Sequence, residues 1–535
     1  MNKVTKSIQS LIAGKSFQFI SFLLLAYLWT SVTSIYLAGQ WGWNVEKSSP
    51  MTMRLAQIVS VPLLACILFL LARSSTLIRN NKIIFSLSLL YFFVNLALFF
   101  SVAPGCFTED TFYTFHMVKN GWWEGWYSSL HPLLMTGLIQ ILPWNFNAPG
   151  IFLALLWSTV YVFAHFILSK LNAPRLIYAG LFLLIFLPAQ LASSLIIVRD
   201  SYFSAIFIAF NLYIFYLLSI KKNMSTANLL ALAGIGALLS LYRSEVVPSV
   251  AIGAGAVVFA YLSRNPGASI GKTVIPSIAL PFLVVYFISA LPPTVLDHDL
   301  VKGNTWGKRT ELEYKLTLIE NPLGYIVRNN GSITYGQKLN IEKVFAIEDL
   351  ARYWCPGNLC LFYGGHWNKE SSKNERDAAF SSALAVFVHN PRLFILSRLE
   401  TLATVGDKST QTICSGRIMQ ERGFSRLVGN NFMTTAGDAA LRLIRDTETN
   451  EGAYGGRWVW WNVYAATLLL AIVLAFFKFA PASGVVSLVV IMRSLITFLA
   501  APAGFTIYYT TLFIGAPLVF LLFLCEAKKN WKKSE

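Results

Sequence analysis

Two adjacent carboxylates, Glu109 and Asp110, stand in a polar and aromatic stretch, PGCFTEDTFYTFHMVKNGWWEGW, that interrupts a mostly apolar chain. A carboxylate held partly desolvated at a membrane edge is suited to take a proton from a sugar hydroxyl. The same pair has a structural reading. Thr108 can N-cap a helix running to about Lys119, and acidic residues in a first turn are ordinary partners of the helix dipole.

Other groups at the ends of apolar runs fit the binding of an anion. Arg199-Asp200 and Arg243-Ser244-Glu245 each put a guanidinium at such an end, and its planar fork bonds two phosphate oxygens at once. Each pair can instead neutralise itself as a local ion pair. His131-Pro132 opens a short helix, where free backbone N–H groups and an imidazole would suit a phosphate or simply start the helix. Trp122, Trp123, Trp126 and Tyr127 form an interfacial belt, with sugar stacking as a second use. Arg493 lies inside an apolar run, where a charge is costly and usually functional. His366, His389 and His116 complete the set of side chains able to do chemistry.

These residues are carried by a chain that is 55% hydrophobic and only 13% charged, with a mean hydropathy of +0.56. Soluble domains carry about 25% charged residues, so the composition is that of a polytopic membrane protein. The net charge of +17 is spread over short clusters between apolar runs, which argues for cytoplasmic loops and against nucleic acid. The first run, Phe17 to Leu37, exceeds a signal-peptide core and reads as a retained anchor.

Hydropathy and length predict a mainly α, polytopic helical bundle of about twelve spans: roughly 17–37, 55–72, 83–102, 149–169, 175–196, 201–220, 226–242, 246–262, 272–291, 457–477, 482–500 and 504–525. Pro132 to Leu142 rises only about 16 Å as a helix and does not span. If it did, every later basic loop would move outside, against the positive-inside rule. The expected domains are a two-span addition over 1–82, a transmembrane module over 83–291 with its first exterior loop at 103–148 and exterior juxtamembrane helices, an exterior mixed soluble domain over 292–456, and three spans with a basic cytoplasmic tail over 457–535. Within the soluble part, Asp377 to Val388 and Leu393 to Val405 read as helices separated by the break His389-Asn390-Pro391-Arg392. No cytoplasmic loop has room for a nucleotide-binding domain, so the chemistry belongs outside. Cys106, Cys355, Cys360 and Cys414 also fall outside, where a Cys355–Cys360 disulfide is expected if that side is oxidising; Cys66 and Cys525 sit in apolar runs.

The order of these features resembles the GT-C superfamily of integral-membrane glycosyltransferases, which use polyprenyl-phosphate-linked sugars. The residues that carry the resemblance are Glu109-Asp110 in the first large loop, His131-Pro132-Leu133-Leu134 after it, and the junctions Arg199-Asp200 and Arg243-Ser244-Glu245. The family's second proline is replaced here by Leu133. The resemblance implies inverting transfer, with Asp110 as general base and Glu109 as its neighbour or substitute. Arg199, Arg243 and His131 are then expected to hold the donor phosphate, and Asp200, Glu245, Trp122, Trp123 and His366 to bind substrate. A divalent cation (Mg or Mn) at the acidic pair occurs in some relatives. The implied partners are the lipid-linked donor, a glycan or lipid-linked acceptor such as an O-antigen, and membrane lipid, at the periplasmic face of a bacterial inner membrane. Rival readings are a glycan polymerase with a lipid-pyrophosphate donor, a flippase for a lipid-linked saccharide, and an acyltransferase with His116 or His131 as base.

Overall fold

The computed structural model describes residues 20–33, 60–65, 82–102, 130–142, 147–220, 224–265, 311–357, 359–405, 432–449, 456–501 and 506–534, together with isolated positions such as Thr111 and Thr114. The described helices are α1 (Ile20–Thr33), α2 (Lys82–Val102), α3 (Leu130–Ile141), α4 (Asn147–Lys170), α5 (Arg175–Leu183), α6 (Pro188–Leu195), α7 (Arg199–Phe215), α8 (Thr226–Tyr242), α9 (Val247–Arg264), α10 (Glu311–Arg328), α11 (Tyr335–Glu342), α12 (Ile347–Arg352), α13 (Cys360–Gly364), α14 (Lys373–His389), α15 (Pro391–Ala403), α16 (Phe432–Thr449), α17 (Arg457–Trp460), α18 (Val463–Ala475), α19 (Pro481–Ala500) and α20 (Thr510–Ser534).

The twelve expected spans are not found among the described residues. Among the described residues five helices are long and apolar enough to cross a membrane: Asn147–Lys170, Arg199–Ile220, Val247–Arg264, Pro481–Ala500 and Thr510–Trp531. Counting each of two bent pairs as one span raises the number to seven. The multi-pass helical membrane architecture stands; the count falls because apolar runs hide breaks. The run expected at 175–196 is broken where Pro188 drives Leu187 to extended backbone (φ −62°, ψ 138°), and its two pieces diverge by 55°. The run at 457–477 breaks at Trp461-Asn462 and leaves only the 13 residues of α18. The run at 226–242 is a 17-residue helix, about 25 Å long. The expected spans at 55–72 and 272–291 lie mostly outside the described residues. The expected mixed domain is corrected as well: its described part is helical, and no sheet is present among the described residues.

Local chemistry explains the ends that position the site. Ser225 and Asn228 form a capping box that starts α8. At the end of α4, Asn172 takes a left-handed conformation (φ 53°), the Ala173 N–H reaches back to the Leu168 carbonyl at 3.1 Å, and Pro174 prevents continuation. Arg264 closes α7 from a distance, donating to the Leu217 and Leu218 carbonyls at 3.1 and 2.8 Å. The buried Glu526 carboxylate of α20 accepts from the N–H groups of Ala482 and Ser483, which satisfies the free donors at the start of α19.

One large apolar core joins α2, α4 to α9 and α18 to α20. Helix α4 packs between α2 and α7, α7 against α8 and α19, and α19 against α9 and α20. Helix α16 crosses α2 so closely that a Cβ at Gly437 would lie 2.3 Å from the Ser101 carbonyl oxygen, so any larger residue there would push the helices apart. A second core, built on Leu316, Leu323, Ile326, Phe345 and Val386, holds α10 to α14 together. Helices α14 and α15 meet at 103° across Asn390, close to the break expected from the sequence. Asn390 stabilises that corner by accepting from Ser332 N–H and donating to Ser332 O, each at 2.8 Å.

Cys355 and Cys360 form a disulfide that ties the end of α12 to the start of α13. So short a loop contributes about 2 kcal/mol in the chain-entropy view. A reducing agent should therefore lower the melting temperature of the purified chain, and Cys355→Ser with Cys360→Ser should reproduce that shift and abolish its dependence on reductant.

Candidate functional site

Arg199 and Asp200 begin α7, a helix buried over most of its length. Arg243 ends α8, and Glu245 lies in the single 3-10 turn that joins it to α9. Packing of α7 against α8 brings the two junctions together. Asp200 forms an ion pair with Arg243 across the junctions. Arg243 is also paired with Glu245 Oε1 at 3.0 Å, and the same carboxylate oxygen faces Arg493 of α19 at 3.5 Å.

The site is therefore a relay, Asp200–Arg243–Glu245–Arg493, drawn from three separate stretches of chain. With Arg199 it holds three guanidiniums against two carboxylates, a surplus of one positive charge. Aromatic faces fix the arginines. Arg243 lies over the Tyr508 ring at 5.5 Å, and Arg493 over Phe203 at 5.1 Å. Burial opposes the charge on Glu245, but Arg243 first and then Arg493 outweigh it and hold the carboxyl down to about 2. Glu245 stays ionised and keeps the two arginines together.

His131, on the second residue of α3, is buried beside this relay. Its ring lies 5.6 Å from Tyr202 and 6.0 Å from Tyr242. Tyr202 donates to the Pro149 carbonyl at 2.7 Å, whereas the Tyr242 hydroxyl and His131 Nδ1 are buried with no hydrogen-bond partner among the described residues. At 1–2% exposure these two groups leave hydrogen-bonding capacity that the described residues do not fill. Burial, and then the field of Arg199, pushes His131 down to about 3. It is a neutral hydrogen-bonding group there, not a cation.

That gives a pH dependence. A histidine in the unfolded chain titrates near 6.5, so below that pH the unfolded state takes up a proton that folded His131 refuses. Its contribution to stability is full above about 6.5 and is lost progressively as pH falls toward 3. Melting temperatures of the detergent-solubilised protein should fall over that window, and His131→Asn should flatten the fall.

One residue next to the acidic pair is described, and it lies against the segment leading into Arg199. Thr111, the residue after Asp110, is buried and its hydroxyl donates to the Ile197 carbonyl at 2.6 Å, two residues before Arg199. Glu109, Asp110, His116, Trp122 and Trp123, with Cys106 and Cys414, lie outside the described residues. Asp200 and Glu245, expected to bind substrate, are engaged with arginines. His366 belongs with the second core, its ring stacked on Tyr353 at 3.8 Å. His389 is exposed at the end of α14, bonded to Ala385 O at 2.7 Å. Among the described residues no group of three or more His, Cys, Asp or Glu is placed to hold a metal ion. Tyr202, Tyr242 and Tyr508 were not legible as site residues, because a tyrosine in an apolar run carries no positional signal. Searches against protein-family models, curated proteins and solved structures returned no match for this chain.

Proposed function

We propose that this protein is an inverting glycosyltransferase, moving a sugar from a polyprenyl-phosphate donor to a cell-surface glycan or lipid-linked acceptor at the periplasmic face of a bacterial inner membrane. The observation that carries the reading is the Thr111–Ile197 hydrogen bond, which fixes the chain next to the acidic pair against the segment leading into Arg199. A base and a phosphate clamp are the two things this transfer needs. Asp110 accepts the proton as the acceptor oxygen attacks the anomeric carbon, and the bond from that carbon to the phosphate oxygen breaks. The phosphate leaves with the electron pair, towards Arg199 and Arg243. Glu109 is the neighbouring carboxylate, and a divalent cation at that pair is compatible with the role.

Asp200 and Glu245 act here by holding Arg243 and Arg493 in place. Neutral His131 and Tyr242 offer hydrogen bonds to phosphate or sugar, and Trp122 and Trp123 a stacking surface. The bent pair α5–α6, which ends next to Arg199, favours one other reading: interrupted helices at a buried polar site also occur in transporters. The test is purified protein in liposomes loaded with a polyprenyl-phosphate sugar labelled in the sugar. Release of unlabelled lipid phosphate with label on the acceptor supports transfer. Movement of intact labelled lipid between leaflets without release supports transport and rejects the enzyme.

A further inference from the structure

Arg398 lies in α15, whose Leu393 and Phe394 pack against the second core, yet its side chain is 1% exposed. One guanidinium nitrogen, Nη1, donates to the Ala501 carbonyl at 2.7 Å, at the end of α19. The other two, Nε and Nη2, are buried with no hydrogen-bond partner among the described residues, and no carboxylate described here pairs with it. Its flat face rests over Phe394 at 5.9 Å. This differs from the relay, where Arg243 and Arg493 each face a carboxylate. A buried guanidinium with two donors unfilled by the described residues is suited to pair with an anion, and its fork matches a phosphate.

The position of Arg398 follows from α19. Thr497 Oγ1 donates to the Arg493 carbonyl at 3.0 Å, and Ala501 N–H donates to the Thr497 carbonyl at 2.7 Å, so positions 493, 497 and 501 run along one helix face. Eight residues of helix span about 12 Å. The carbonyl that anchors Arg398 therefore ends the helix that carries Arg493, and Tyr509 lies within electrostatic reach of both guanidiniums.

We propose that Arg398 forms a second phosphate subsite, in line with the Arg243–Arg493 relay. It deepens, and rests on, the reading of the relay as a polyprenyl-phosphate site. The second phosphate belongs to a pyrophosphate on one lipid carrier or to a second lipid-linked substrate. Sequence gave no sign of it, since α15 reads simply as a short apolar helix.

The test is binding, without sugar, of farnesyl phosphate and farnesyl pyrophosphate to the full chain in nanodiscs. If one ligand carries both phosphates, the wild type binds the pyrophosphate at least tenfold more tightly, and Arg398→Met abolishes that preference while leaving monophosphate affinity within twofold. If two lipids bind, the wild type takes two monophosphates per chain and Arg398→Met takes one. Arg398→Lys keeps the charge but loses the fork, so it retains only part of the preference or of the second site; it serves as the second variant should the methionine chain fail to fold, and wild-type behaviour in it counts against the subsite. Equal affinity for both probes with one ligand per chain, in wild type and Arg398→Met alike, overturns the subsite and leaves the relay standing. A wild type that binds neither probe overturns the polyprenyl-phosphate reading as well.

Discussion

Arg243→Met should abolish binding of a polyprenyl phosphate and destabilise the fold by about 3–5 kcal/mol, the cost of leaving a buried charge without its partner. Arg243 is the residue on which the relay turns, because it bonds Asp200 and Glu245 together, and Asp200 is nearly as buried as the arginine itself. Loss of activity in this variant alone would thus be ambiguous between a ligand contact and a collapsed core. A double variant separates them. Asp200→Asn added to Arg243→Met removes the stranded carboxylate charge, so most of the stability should return, as read by melting in detergent. Binding should not return, because the fork proposed to hold the phosphate is still missing. A stable double variant that binds like the wild type would show the relay to be purely structural. Arg243→Lys should fall between, keeping the charge but losing the two-oxygen geometry.

Local chemistry is legible in the residues of this chain; what depends on packing is not. Arg199-Asp200 and Arg243-Ser244-Glu245 stand out because charge at the end of an apolar run is conspicuous, and both junctions do lie in one cluster. The partners were not legible. Asp200 reaches to Arg243 of the next junction, and Glu245 also faces Arg493, more than two hundred residues away. Those pairings are set by how α7, α8 and α19 pack, which apolar periodicity does not encode in a helix buried on most sides. The same uniformity inflated the span count, since hydropathy registers the apolar length of 175–196 but not the 55° turn that Pro188 puts in it. The corner at Asn390 was legible, because proline after asparagine is a local signal, whereas the buried guanidinium of Arg398 was not.

Asp110→Asn should lower the rate of sugar transfer by about 10²–10⁴-fold, the usual contribution of a positioned general base. The substitution keeps the shape of the side chain and removes only its ability to take a proton at neutral pH. Donor affinity should survive, because in this reading the lipid phosphate is held by Arg199, Arg243 and the groups around His131. The loss should therefore fall on kcat, with KM for the polyprenyl-phosphate sugar little changed. The competing account makes the opposite forecast. If the acidic pair merely complements the dipole of a helix capped by Thr108, neutralising Asp110 costs about 0.3–1 kcal/mol of stability and leaves transfer intact. Glu109→Gln then identifies which carboxylate takes the proton: a smaller loss than Asp110→Asn assigns the base to Asp110, and a larger one moves the role to Glu109. Thr111 supplies a further check, since its hydroxyl is what ties this stretch to Ile197 at 2.6 Å. Thr111→Val keeps the volume and removes that hydrogen bond. A kcat that falls in Thr111→Val while lipid-phosphate binding holds would show that the base must be positioned against the arginine cluster for the acceptor to react.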